Sequence, residues 1–258
     1  MLAAVVYARG VGAMRRRWPS GRTALFGLGL VAILVALVSA IDFYAQDLFS
    51  IHMAQHMLLT VVAAPLLLLG QPIRPLLRGI PPALRRSVFR PIASNRIVRA
   101  VFDVVRSPLV AGFLYVGGLY YWHLPSVYDA AVEDPLLHAV EHSWFLVTAL
   151  LFWSNVIDPV PFRAGLSYAP RIVYLLLAGA AQNTILGGLL AFSTRLLYPH
   201  YEGRPEQYGV SAVTDQRIGG ATMWVPGDLI FLAAASLCFF LFLRAEETEQ
   251  LRRESTPR

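Results

Sequence analysis

Apolar residues fall into six long blocks separated by short polar links, and no alternation of two organises them. The blocks cover residues 23–41, 51–70, 107–123, 135–157, 171–192 and 221–243. A helix needs about 20 apolar residues to cross about 30 Å of hydrocarbon, and all but the third block meet that length closely. The pattern predicts an all-α polytopic membrane helical bundle of about six transmembrane helices. Residues 1–22 read as a basic N-terminal stub too short to span, 23–243 as the transmembrane domain and 244–258 as a charged tail. Pro135 opens the fourth block at a first-turn position, where its missing N–H costs nothing. Residues 124–134 read as a turn, and residues 71–106, punctuated by five prolines, as a loop. In the last block Pro226 and Gly227 are expected to open the helix beside Asp228.

Composition then assigns the sides. The chain has 258 residues, a hydrophobic share of 56% and a net charge of +6 carried by arginine alone, with no lysine. In a soluble protein that charge would suggest nucleic acid; in a membrane protein it encodes orientation, so no nucleic-acid partner is expected. The stub, the link 71–106, the link after the fourth block and the tail hold 19 of the 22 arginines. By the positive-inside rule these face the cytoplasm, as do both termini. Cys238, the single cysteine, excludes a disulfide within the chain and reads as a packed thiol.

That orientation places five of the six histidines at the outer ends of their spans: His52, His56, His123, His138 and His142. His52 and His56 lie on one helical stripe, because each residue advances about 100°. Met53 and Met57 flank them, so imidazole and thioether share a neighbourhood suited to transition metals, reduced copper in particular. HAVEH (His138 to His142) has the same form as HMAQH (His52 to His56), with Glu141 where the first has Gln55. Asp42 and Asp47 precede the first pair, as Asp129 and Asp134 precede the second, so the two stretches read as a repeated helical hairpin. Paired histidines four apart can reach one ion, and Glu141 can be a ligand, a proton acceptor or a partner that orients an imidazole. Side by side, the second and fourth spans would enclose one polar cavity with His123 at its rim. His200 has no helical partner and stands outside this set.

Three chemistries remain open on these residues. One is metal handling without turnover; another is a membrane zinc metallopeptidase using HAVEH with Glu141 as base. The third is a haem-binding membrane cytochrome with two axial histidines.

HMAQHMLL followed by APLLLLGQP, then WHLPSVYDAA, LLHAVEHSWFL and DQRIGGATMWVPGDLIFL, resembles the multi-spanning CtaG family of bacterial cytochrome c oxidase assembly factors. The resemblance covers about residues 15–243. It implies a multi-pass protein of the bacterial plasma membrane that is not an enzyme and is needed to make an active haem-copper oxidase by helping copper reach it. Its partners would then be oxidase subunits, the lipid bilayer and a periplasmic or extracellular copper donor. The positions carried over are His52, His56, His123, His138 and His142, with Glu141 and Asp129 beside them. Met53 and Met57 join the expected metal set from their own spacing. Members usually have seven spans, and here the first is represented only by the short apolar run in residues 2–14.

Overall fold

The structure is a computed structural model that describes residues 2–14, 18–158 and 164–255, all of it helix, turn and loop. The arginine cluster at 15–17 and Pro159 lie outside the described residues. In chain order the helices are α1 (Leu2–Gly12), α2 (Ser20–Tyr44), α3 (Phe49–Leu69), α4 (Ile73–Gly79), α5 (Arg96–Arg106) and α6 (Pro108–Trp122). They continue with α7 (Pro125–Glu133), α8 (Pro135–Trp153), α9 (Tyr168–Ala191) and α10 (Ala212–Ser255). Five of these, α2, α3, α8, α9 and α10, are long and apolar enough to cross a membrane. Helix α6, expected as the remaining span, has 15 residues, about 22 Å at 1.5 Å per residue, and is short for the purpose.

Helix α3 is the most enclosed of the five, with 61% of its apolar window buried. It can therefore carry polar side chains that lipid would not tolerate. Below its histidines the helix widens into a π segment over Leu58–Ala63, just ahead of Pro65. Proline cannot donate to the carbonyl four residues back, and a widened turn is one way to absorb that loss. The indole N–H of Trp153 donates to the Thr60 carbonyl at 2.9 Å and ties α8 to this wide turn. Beneath it Trp153 stacks on Phe231 and Phe152 meets both rings edge-on, forming the centre of the lower core.

Prolines in and beside the links start helices, Pro135 as its first-turn position predicts. Pro82, Pro108, Pro125 and Pro135 all sit in the first turn, so the link 71–106 is largely helical and residues 125–133 form α7 rather than a turn. Helix α5 is exposed over most of its length and two-faced. About 100° per residue puts Ile97, Val101, Val104 and Val105 on one arc and Arg96, Arg99, Asp103 and Arg106 on the other. That is the pattern of a helix lying in the membrane interface. Pro226 also fails to interrupt its helix: α10 runs through it unbroken. Close packing supports the helix there, since a Cβ on Gly227 would meet Met57 Cε at 2.8 Å, and Asn183 Nδ2 donates to the Met223 carbonyl at 2.6 Å.

Residues 2–12 pack as part of the bundle. Tyr7 stacks on Phe26 with centroids 4.0 Å apart and donates its hydroxyl to the Gly70 carbonyl at 3.1 Å. Gly10 and Gly79 let α1 and α4 approach until a Cβ on either would overlap the other helix's backbone. At the other end of the chain, α10 continues without a break through the charged residues 244–255.

Candidate metal centre

Each histidine pair follows directly on a capped helix start. Helix α3 begins after Leu48, which offers no side-chain cap, and Asp215 of α10 supplies one. Its carboxylate accepts from the Phe49 N–H at 2.6 Å and from the Ser50 hydroxyl at 2.5 Å. A carboxylate here also complements the helix dipole. Helix α8 is capped from its own chain, Asp134 accepting from the N–H groups of Leu136 at 2.7 Å and Leu137 at 3.1 Å. Both first turns are thereby held, and the residues one turn further on are His52 and His138.

The two helices turn their histidine stripes toward each other. Ring centroids of His52 and His138 lie 5.1 Å apart, those of His56 and His142 also 5.1 Å, and those of His52 and His142 5.8 Å. His52, His56, Glu141 and His142 each offer a ligand atom within 4.8 Å of all the others, and all four residues are buried. His52 Nε2 and His56 Nε2 stand 2.9 Å apart, and His56 Nε2 lies 3.9 Å from Glu141 Oε1. Two ligands with bonds of about 2.0–2.1 Å to one tetrahedral ion sit about 3.3 Å apart, so small rotations would close this set on a single ion.

Glu141 is the anomaly. It is 0% exposed, and neither carboxylate oxygen has a hydrogen-bond partner among the described residues. His142 Nε2 and His138 Nε2 are likewise buried and unpartnered. A buried carboxylate left alone costs several kcal/mol, whereas a cation held among neutral imidazoles would satisfy it. The donors present, three imidazoles and one carboxylate, therefore fit a transition-metal ion. Gln55 plays no equivalent part: its amide donates to the Ala36 carbonyl at 2.8 Å and to Asp42 at 2.9 Å, away from the cluster.

One tautomer follows from the hydrogen bonds. The Tyr201 hydroxyl donates to the Ala45 carbonyl at 3.1 Å, and a carbonyl can only accept. Having spent its proton, the Tyr201 oxygen must accept from Tyr128 at 3.0 Å and from His52 Nδ1 at 3.1 Å. His52 then carries its proton on Nδ1 and turns a bare Nε2 lone pair into the cluster. Tyr201 and Tyr128 belong to a roof of buried aromatics with Tyr198 and Phe49, to which the link between α9 and α10 contributes Tyr198 and Tyr201. Burial pushes the hydroxyls of Tyr198 and Tyr201 well above the ordinary tyrosine range, so they stay protonated.

The remaining expected residues lie around the cluster. His138 sits between it and a groove of about 320 Å³, which is also lined by Asp42, Pro135, His142 and Ser143 and opens between α2 and α8. His123 turns to Met53, with Nε2 3.4 Å from the sulfur. Met57 lines a small, partly enclosed cavity beside His56. Asp129 is in the roof, accepting from the His200 N–H at 3.4 Å, and burial raises its carboxyl above the usual range. His200 reaches the Gln46 carbonyl at 3.3 Å. Asp228 accepts from Thr184 and Asn183 and is not among the clustered ligand atoms. Asp215 and Tyr201 carry no spacing signal, each lying about 150 residues or more from the histidine stretch it supports; only the density of tyrosines around His200 hints at the roof.

The chain matches the family model Caa3_CtaG, described as cytochrome c oxidase caa3 assembly factor, over residues 5–245. It is 31% identical over 237 residues to an uncharacterized protein of Mycobacterium bovis, covering 87% of this chain and 35% of that protein. An uncharacterized protein of Mycobacterium leprae is 29% identical over 217 residues, covering 82% of this chain and 32% of the relative. The chain thus spans about a third of the length of the curated relatives it matches. No solved structure matches it.

Proposed function

The chain belongs to the cytochrome c oxidase caa3 assembly factor family, and we propose that its buried cluster takes up copper and passes it to a haem-copper oxidase under assembly. The observation that carries this reading is the unpartnered Glu141 carboxylate among His52, His56 and His142. Here copper is cargo rather than a resident cofactor. Ligands without thiolate exchange readily, and the groove at His138 gives an ion a way in from the side of the bundle. His138 and His142 are adjacent, with ring centroids 4.2 Å apart, so an ion can change partners without losing all of them at once.

The other two chemistries fit the site less well. Glu141 is 0% exposed and faces His56, so a peptide bond has no approach to it as a base. Two imidazole nitrogens 2.9 Å apart leave no slot for a porphyrin between them. Deleting the gene is expected to lower terminal oxidase activity through loss of the oxidase's copper, with partial rescue by extra copper in the medium. Full oxidase activity and copper occupancy in the deletion strain would remove the role.

The proposal includes an orientation in the plasma membrane. Arginine gathers at the end of the bundle opposite the histidines, with Arg74, Arg78, Arg85, Arg86 and Arg90 in the link that follows α3. With that end in the cytoplasm, the cluster faces the side where a periplasmic or extracellular donor would deliver copper. A cysteine engineered into residues 80–95 should resist an impermeant thiol reagent in intact cells, while one at 203–209 should react. The reverse labelling pattern would invert the protein and the direction of delivery.

A further inference from the structure

His123 and Met53 meet in a way that no proton explains. His123 Nδ1 lies 2.8 Å from the Leu119 carbonyl oxygen, which can only accept, so Nδ1 carries the proton of the neutral ring. Nε2 is then a bare lone pair, and it points at the Met53 sulfur 3.4 Å away. Thioether sulfur has no proton to give. Two acceptors therefore face each other, both residues being almost fully buried (5% and 0% exposed). Protonating both ring nitrogens would mend the contact only by burying a charge within the bundle, which is costly.

A soft cation mends it at once. For bonds of about 2.0 Å to nitrogen and about 2.3 Å to sulfur, a tetrahedral angle sets the two donors about 3.5 Å apart, close to the observed separation. Beside His123 is a narrow, partly enclosed cavity of about 20 Å³, lined also by His56, Met57, Thr60, Asn183 and Met223. That is room for one water-sized occupant. Its walls add two thioethers and the imidazole of His56, whose Nδ1 is buried without a partner among the described residues. His56 thus belongs to both the nitrogen and oxygen cluster on one side and this sulfur-bearing cavity on the other.

We propose that His123 and Met53 form a second metal position, selective for a soft monovalent cation of the copper(I) class, one ligand exchange at His56 away from the histidine and glutamate cluster. Nitrogen and sulfur donors favour such an ion, whereas the carboxylate-containing cluster suits divalent ions as well. The proposal deepens the copper reading and rests on it for the identity of the cargo, but the geometry at His123 stands independently of the cluster.

The test uses the whole 258-residue chain in lipid nanodiscs without oxygen, with silver(I) as a redox-inert probe of the soft position and zinc(II) as a probe of the cluster. Wild type is expected to retain two equivalents of silver(I), one with a sulfur neighbour in X-ray absorption, and one of zinc(II). Met53→Leu should lose one silver equivalent and the sulfur signal while keeping zinc, which also reports that the variant is folded. Should Met53→Leu not fold, selenomethionine in the unmutated protein gives the same answer through a silver–selenium contact. Silver bound without any sulfur or selenium neighbour, or an unchanged silver count and sulfur signal in Met53→Leu, overturns the second position. Loss of zinc binding with the sulfur contact intact would instead remove the cluster reading and leave this one standing.

Discussion

Glu141→Leu is expected to make the metal-free protein more stable and to abolish its stabilisation by added metal. The two effects have one cause. In the metal-free protein Glu141 is a fully buried carboxyl group with neither oxygen hydrogen-bonded among the described residues. An unsatisfied buried polar group costs about 1–3 kcal/mol, which an apolar side chain of similar volume recovers. With metal present the sign reverses, because Glu141 is the one anionic ligand among three imidazoles. A ligand at about a hundred times its dissociation constant stabilises the folded state by about 2.7 kcal/mol. Removing the anion from a site of low dielectric should weaken binding by at least about 100-fold, equivalent to about 2.8 kcal/mol. Thermal unfolding of both proteins in nanodiscs, with and without zinc(II) or copper, reads the whole pattern. If the variant is stabilised by metal as strongly as wild type, Glu141 is neither ligand nor charge partner. If it is less stable without metal, the carboxyl group has a partner that compensates its burial.

How much of this was legible beforehand differs between fold and site. The long apolar runs announce their helices because the bilayer leaves a chain few other choices, and α2, α3, α8, α9 and α10 follow directly. The family resemblance, carried by short motifs spread along the chain, agrees with the family match over residues 5–245. Proline misled: a first-turn proline, a breaking proline and one tolerated inside a helix look alike in one dimension, so α7 and the unbroken α10 were hidden, and α5 lay in a link that its prolines marked as a loop. Spacing along a helix put His52 with His56 and His138 with His142. It could not say that Gln55 turns to Asp42 while Glu141 stays in the cluster, because the two occupy equivalent helical positions and their neighbours in the fold decide which way each turns. Nor could it find Asp215 or Tyr201. Those two act across 166 and 149 residues of sequence, through contacts that exist only once the bundle has closed.

Tyr201→Phe is expected to weaken metal binding by about 10- to 100-fold, although Tyr201 would touch no metal. Partners that orient a metal-binding histidine typically have effects of this size. Tyr201 acts as a positioning residue: with its proton committed to the Ala45 carbonyl, it can only accept from His52 Nδ1, and that fixes the bare nitrogen of His52 on the cluster side. Phenylalanine preserves the packing of the ring against Phe49 and removes only the oxygen. His52 Nδ1 then has nothing to donate to, and the ring is free to carry its proton on Nε2, where it meets His56 Nε2 at 2.9 Å and blocks an ion. Tyr128→Phe should cost less, since it removes a donor to Tyr201 and leaves the Ala45 bond in place. Replacing His200, which bonds to the Gln46 carbonyl outside the cluster, should leave affinity unchanged. Nitrogen chemical shifts of the His52 ring distinguish a tautomer effect from a loosened fold: in the metal-free Tyr201→Phe protein the proton should move from Nδ1 toward Nε2 while the other histidines keep their signals. Unchanged His52 shifts together with unchanged affinity would show that the roof covers the cluster without setting its chemistry.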